Sequence, residues 1–179
     1  ETHLKPKPMV EVGERPILWH IMKNLSSQGI SEFVVCLGYK GEVIKDFFIN
    51  DIKNPHHLAV ESGSQDFVVF HNESAQDNWS VTLANTGADT MTGGRIHRIK
   101  KYVENETFLC TYGDGLANIS IKRLLDFHAT HGKLATVTAV RPPARFGYMK
   151  IKNNEVTHFG EKNQSDEGWI NGGFFVLEP

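Results

Sequence analysis

The sequence is poor in several things, and each shortage excludes a class of protein. It has only two cysteines in 179 residues, Cys36 and Cys110, and both lie in apolar runs, Phe33-Val34-Val35-Cys36-Leu37 and Phe108-Leu109-Cys110. No disulfide framework can be built from them, and they read as buried thiols rather than as metal ligands. There is no surplus of positive charge: 19 basic against 21 acidic residues give a net charge of −2. A nucleic-acid or acidic-membrane partner would need a basic face, so neither is expected. No apolar run approaches the ~20 residues of a membrane span. The two buried thiols lead to the expectation of a reducing, cytoplasmic setting, and no signal peptide is expected. HExxH zinc spacing and the GxSxG nucleophile motif are both missing, and nothing suggests a nucleophilic triad. There is no repeat and no low-complexity stretch, and seven prolines with 16 glycines do not make a fibrous or Pro-rich chain.

What remains is an ordinary globular composition, 40% hydrophobic and 22% charged. A chain of this length should bury roughly 70% of its unfolded surface in one domain. Strand-length apolar runs alternate with amphipathic stretches. Pro16 opens a helix in which Ile17, Leu18, Ile21, Met22 and Leu25 recur at helical spacing, and Gly29 stops it. Residues 33–37 read as a strand and 41–53 as a helix with Val43, Ile44, Phe47 and Phe48 on one face. Further strands are expected at 66–71, 79–83 and 107–111, and a helix at 95–103. Ser120 caps a helix reaching His131, with Ile121, Leu124, Leu125 and Phe127 inward. Strands follow at 134–140, 148–151, 156–159 and 170–177. His56-His57 reads as loop. The alternation predicts an α/β, Rossmann-like, mostly parallel sheet flanked by helices, with a β-rich subregion toward the C-terminus.

Several short constellations could carry chemistry. Lys5-Pro6-Lys7-Pro8-Met9 puts lysines on a stiff segment that the two prolines should keep extended. A lysine held that way can meet a phosphate as a point charge, or it can be a solvated basic loop. Tyr112-Gly113-Asp114-Gly115 follows a buried strand, where open sheets bind ligands. Asp114 there suits Mg²⁺, which takes one or two carboxylates plus substrate phosphates; the alternative is a plain Gly-Asp-Gly turn. Thr90-Met91-Thr92-Gly93-Gly94-Arg95 precedes a helix, where backbone amides and the Arg95 fork could receive an anion, or merely cap the helix. Glu161-Lys162 could serve a sugar phosphate or form a surface ion pair, and Asn171-Gly172-Gly173 interrupts a strand as a ligand approach or a bulge. Phe146-Gly147-Tyr148 is either a binding turn or only a turn.

Taken together these pieces resemble the sugar-phosphate nucleotidylyltransferases (nucleotide-sugar pyrophosphorylases), closest to the bacterial glucose-1-phosphate cytidylyltransferases. The resemblance rests on residues 5–13, on 16–22, on Gly38-Tyr39-Lys40-Gly41 with Val43-Ile44-Lys45, and on Thr86-Gly87. It continues through Met91-Thr92-Gly93-Gly94-Arg95, Thr111-Tyr112-Gly113-Asp114-Gly115, Arg145-Phe146-Gly147 and residues 170–177. It implies one catalytic domain over 1–179, incomplete, with about 1–118 binding nucleotide and 119–179 binding sugar phosphate. Lys7, Arg95 and Asp114 would be catalytic. Lys7, Thr90, Arg95 and Gly113 would bind nucleotide. Asp114 would hold Mg²⁺, and Gly147, Glu161, Lys162, Asn171 and Gly172 would line the sugar-phosphate side. The implied reaction joins CTP and α-D-glucose 1-phosphate into CDP-glucose and pyrophosphate, a step toward surface polysaccharide; a homo-oligomer is compatible with it.

The chain departs from that family at its ends. A strand and a Gly-rich phosphate loop precede the Lys-Pro-Lys-Pro block in the family, and a second metal-binding aspartate follows Asn-Gly-Gly-Phe-Phe. The chain is therefore expected to be truncated at both ends, with two neighbouring strands left with open edges. Transfer from another NTP (dTTP, UTP or GTP), or a non-catalytic nucleotide- or sugar-phosphate-binding fragment, are the rival readings.

Overall fold

Leu18, Ile21, Met22 and Leu25, the apolar residues at helical spacing, are the ones that helix α1 (Ile17–Ser26) buries. The computed structural model describes residues 5–50, 57–60, 67–72, 79–141, 148–160 and 169–179. Pro16 sits one position outside α1 as its N-cap residue, and the chain turns away through Gly29 at φ +94°. Ahead of α1 lie a 3₁₀ turn (Lys7–Met9) and two short paired strands, β1 (Glu11–Val12) and β2 (Arg15–Pro16). The 3₁₀ turn corrects the expectation of an extended Lys-Pro-Lys-Pro segment. Proline's fixed φ is compatible with a first helical turn, where its missing N–H is not needed, and Met9 N–H donates to the Pro6 carbonyl at 2.8 Å.

The strands fall into two main sheets. In one, β3 (Glu32–Leu37) runs parallel to β6 (Trp79–Asn85), which pairs antiparallel with β5 (Phe67–Asn72), and β4 (His57–Val60) closes that side. In the other, β11 (Ile170–Leu177) is central, antiparallel to both β7 (Phe108–Thr111) and β8 (Ala135–Val140). β9 (Tyr148–Lys152) and β10 (Glu155–Gly160) form a hairpin whose two loop residues, Asn153 and Asn154, have φ of 50° and 63°, as a tight primed turn requires. The α/β architecture is as expected. Its pairing is more mixed than strand–helix alternation implies, because hairpin-connected β4, β5 and β6 meet antiparallel and β11 returns against β7 and β8. His57 opens β4 instead of lying in a loop; pairing with β5 carries that strand, and tertiary pairing outweighs weak local preference.

Helices α2 (Gly41–Asn50), α3 (Thr92–Arg98), α4 (Lys100–Val103) and α5 (Ile121–His131) complete the described chain. The single helix expected over 95–103 is broken at Ile99, which is buried and leaves helical geometry at φ −97°, ψ 10°. Ser120 caps α5 through the Arg123 N–H, as read, but Phe127 is exposed and stacks edge-on against His131 at 5.2 Å.

Two apolar cores sit against these sheets, and α1 serves both. Leu18 and Met22 join Leu37, Ile44, Phe48, Trp79, Val81 and Leu83; Ile21 and Leu25 join Ile121 and Phe174. Phe33 packs against both groups. Each such fully buried side chain contributes about 1.5–3 kcal/mol. Among the described residues β3 and β4 are the edge strands of one sheet and β7 and β8 of the other.

Candidate active site

The tip of β7 and the 3₁₀ turn meet at Gly113. A Cβ there would lie 2.9 Å from Pro8 Cγ, so only glycine lets these two segments touch without displacement. Their flanking residues are Asp114 and Lys7, and the Lys7 Nζ lies 4.0 Å from an Asp114 carboxylate oxygen. Both are substantially exposed, at 70% and 44%. The neighbouring Lys5 is committed elsewhere: it donates to Glu11 at 2.6 Å, and that hydrogen bond holds the Glu11 carboxyl below its ordinary range. Lys7 thus faces Asp114 across a gap at the outer limit of an ion pair, open to a bulky anion. Asp114 offers one hard carboxylate beside open space. That donor set suits Mg²⁺, which keeps several waters and completes its shell with substrate phosphates. Among the described residues no three His, Cys, Asp or Glu side chains cluster as an all-protein metal cage would need.

A second polar cluster ties together the carboxyl ends of β3 and β6. Thr86 is fully buried; its hydroxyl donates to the Leu37 carbonyl at 2.8 Å and accepts from the Arg95 guanidinium at 2.6 Å. Arg95 also donates to the Leu37 carbonyl at 3.1 Å and to Ala88 at 3.2 Å. Gly38 lies flat against it, since a Cβ there would collide with the guanidinium. Arg98 donates to the Thr86 carbonyl and, at 2.7 Å, to the Thr90 hydroxyl. The Arg95 fork, expected either to receive an anion or to belong to a plain helix cap, bonds the protein's own strand ends in this structure and so clamps them. The helix it belongs to begins at Thr92, one residue beyond Met91, so Gly93 and Gly94 are helical and not a free anion-binding loop. Arg98 carried no signal in the sequence; its role depends on Thr86 and Thr90 being brought under it.

On the third side, β11 bulges. Its register against β8 slips between Asn171 and Phe175. A Cβ on Gly172 would fall 2.9 Å from the Thr138 carbonyl oxygen, and Gly173 adopts φ +83°. The Asn171 amide donates to the Tyr112 hydroxyl at 3.0 Å and accepts from the Gly173 N–H at 2.8 Å. The structure therefore brings Lys7, Gly113 and Asp114 together, sets Asn171 beside Tyr112 and Gly172 against Thr138 and Val140 of β8, and gathers Thr90 and Arg95 in the clamp. Gly147, Glu161 and Lys162 lie outside the described residues.

The two cysteines are half-buried and free. Burial pushes the Cys36 thiol up to about 11, with the Cys110 charge across the gap adding to it, and burial raises Cys110 as well. Neither is a thiolate nucleophile near neutral pH.

Comparison with known proteins converges on one group. The nucleotidyl transferase family profile matches residues 2–179. The chain is 49% identical over 180 aligned positions to the glucose-1-phosphate cytidylyltransferase of Salmonella typhimurium, an alignment covering 100% of this chain and 69% of that protein. It is 44% identical over 174 positions to the probable glucose-1-phosphate cytidylyltransferase of Bacillus subtilis, covering 97% and 67%. Among solved structures, HddC from Yersinia pseudotuberculosis superimposes with a TM-score of 0.61 at 23% identity, over 97% of this chain and 67% of that one. A UDP-glucose pyrophosphorylase complexed with UDP-glucose gives 0.60 at 14% identity, over 98% and 68%. At those identities the likeness is one of fold.

Proposed function

The chain belongs to the nucleotidyl transferase family, and from that premise we propose that it joins CTP and α-D-glucose 1-phosphate to give CDP-glucose and pyrophosphate. The observation that carries this reading is the 49% identity, across the whole chain, with the Salmonella typhimurium glucose-1-phosphate cytidylyltransferase. In the proposed reaction a phosphate oxygen of the sugar phosphate forms a bond to the α-phosphorus of CTP. The bond from that phosphorus to the α–β bridging oxygen breaks, and its electron pair leaves with pyrophosphate. The attacking oxygen is already anionic, so no strong base is required. The chemical need is to hold two polyanions together and to neutralise their charge.

Lys7 meets that need as a positive charge on a short, hydrogen-bonded turn. Asp114, beside it, would hold Mg²⁺, which when bound supplies further charge neutralisation to the triphosphate. Gly113 keeps the backbone flat where the nucleotide would approach. The Thr90–Arg95 clamp would shape the base-side wall through the ends of β3 and β6. Asn171 and Gly172, with Gly147, Glu161 and Lys162, would form the sugar-phosphate side. In this reading residues 1–118 carry the nucleotide half and 119–179 the sugar half, and the enzyme works in the cytoplasm. Pyrophosphate release measured with CTP, UTP, dTTP and GTP, each against glucose 1-phosphate and other sugar 1-phosphates, tests it. CTP with glucose 1-phosphate should give the highest kcat/KM. A higher value for another pair would reassign the substrate, and nucleotide binding by calorimetry without turnover would select the binding-fragment reading.

A further inference from the structure

Tyr112 is 44% exposed, yet it is held at three points. Its hydroxyl accepts from the Asn171 amide at 3.0 Å. Its ring lies on Gly173 so closely that a Cβ there would be 2.8 Å from Cδ2. Its ring also meets Phe175 edge-on, centroids 6.1 Å apart at 88°. Such restraint is more than burial of an exposed ring calls for. The bulge in β11 supplies two of these contacts: Gly172 lies close against β8, Gly173 takes the positive φ and meets the ring, and Asn171 is fixed by the Gly173 N–H as it reaches Tyr112. Tyr112 in turn is bonded to Gly113, which rests on Pro8, and beyond these lie Asp114 and Lys7.

We propose that Asn171 and Tyr112 are positioning residues, a brace from β11 to the tip of β7 that sets the Asp114 carboxylate against the Lys7 amine. This rests on the nucleotidyl-transfer reading for its purpose, but the geometry it controls can be measured without any substrate. Asn171 then influences catalysis through Tyr112, and the hydroxyl of Tyr112 matters as much as the amide of Asn171.

The test is zero-length carbodiimide crosslinking of the full chain, with the Lys7–Asp114 amide quantified by peptide mass spectrometry. The Lys122–Asp126 pair at 2.7 Å and the Lys5–Glu11 pair at 2.6 Å serve as internal controls in the same sample. Tyr112→Phe, which keeps the ring and its packing, and Asn171→Ala should each lower the Lys7–Asp114 yield about 3-fold against the controls. That is the order of shift expected when one hydrogen bond of ordinary strength is lost. The double variant should fall no further than either single one. In turnover, Tyr112→Phe should lose kcat by a similar factor while the KM for glucose 1-phosphate stays within about 2-fold of the unsubstituted chain. Unchanged crosslinking in Tyr112→Phe would overturn the brace, as would additive losses in the double variant. A rise in sugar-phosphate KM in Tyr112→Phe with kcat unchanged would also overturn it, since that marks an effect on substrate binding instead of on the Lys7–Asp114 geometry. If the unsubstituted chain gives no turnover, the nucleotidyl-transfer reading falls by itself and the crosslink still decides the brace.

Discussion

Lys7→Met separates what the Lys7–Asp114 pair does for stability from what it does for chemistry. At the observed 4.0 Å, two unit charges in bulk water attract by about 1 kcal/mol. Both side chains are well exposed, so salt and side-chain entropy reduce that to between about 0.2 and 1 kcal/mol. Methionine retains an aliphatic stem of similar length, and the Lys7 side chain is 70% exposed, so the exchange disturbs little packing. Urea unfolding followed by tryptophan fluorescence, with buried Trp79 as a reporter, should therefore move by less than about 1 kcal/mol. Catalysis should respond very differently. Removing one preorganised charge contact from a developing transition state costs about 10²–10³ in kcat. Pyrophosphate release from CTP and glucose 1-phosphate at saturating Mg²⁺ measures it. A kcat within about 3-fold of the unsubstituted chain would refute the assignment of Lys7 to the phosphates. A stability loss of several kcal/mol accompanying the drop in activity would make the pair a structural one instead.

Asp114→Asn keeps the shape of the turn and removes the charge, so Mg²⁺ should no longer restore full turnover at any concentration. A wild-type Mg²⁺ titration would disprove the metal assignment. Thr86→Val is nearly isosteric, but it deletes the hydroxyl that joins Leu37 to the Arg95 guanidinium in a fully buried position. Arg95 and the Thr86 N–H still reach the Leu37 carbonyl, so urea unfolding should show a loss of about 1–3 kcal/mol, and a neutral result would argue against the clamp. At the far end of the molecule the hydrogen bond from His128, and then that from Thr107, holds the Glu178 carboxyl below its ordinary value of 4.5. A depressed folded-state value contributes stability that is present above 4.5 and is lost as pH falls through the folded value. Glu178→Gln should accordingly flatten the acid limb of stability against pH below about 4.5, and an unchanged acid limb in urea unfolding at stepped pH would contradict this.

Much of the fold was legible because it depends on short-range periodicity. Leu18, Ile21, Met22 and Leu25 can form only one apolar stripe at helical spacing, and α1 buries that stripe. Ser120 caps α5 for a local reason, and β3, β6, β7 and β8 are runs of apolar or β-branched residues that end close to where they were expected. The misreadings have one local cause and two tertiary ones. Lys7–Met9 is a 3₁₀ turn because proline tolerates a first turn, Ile99 breaks a helix because it is drawn into the core, and β4 exists because β5 lies beside it.

The sequence by itself determined the alternation of strands and helices, the family, and which residue types are available near phosphates: Lys7, Asp114 and the glycines that leave room beside them. These follow from local pattern and from side-chain chemistry, neither of which depends on distant neighbours. Only the tertiary structure decided which polar groups meet. Lys7 and Asp114 are separated by more than a hundred positions yet lie 4.0 Å apart. Arg95 grips Thr86 and Leu37 from a neighbouring helix, and Asn171 reaches the hydroxyl of Tyr112 across a bulge. Such pairings are set by how sheets and helices pack, and a linear pattern does not encode a distance in space.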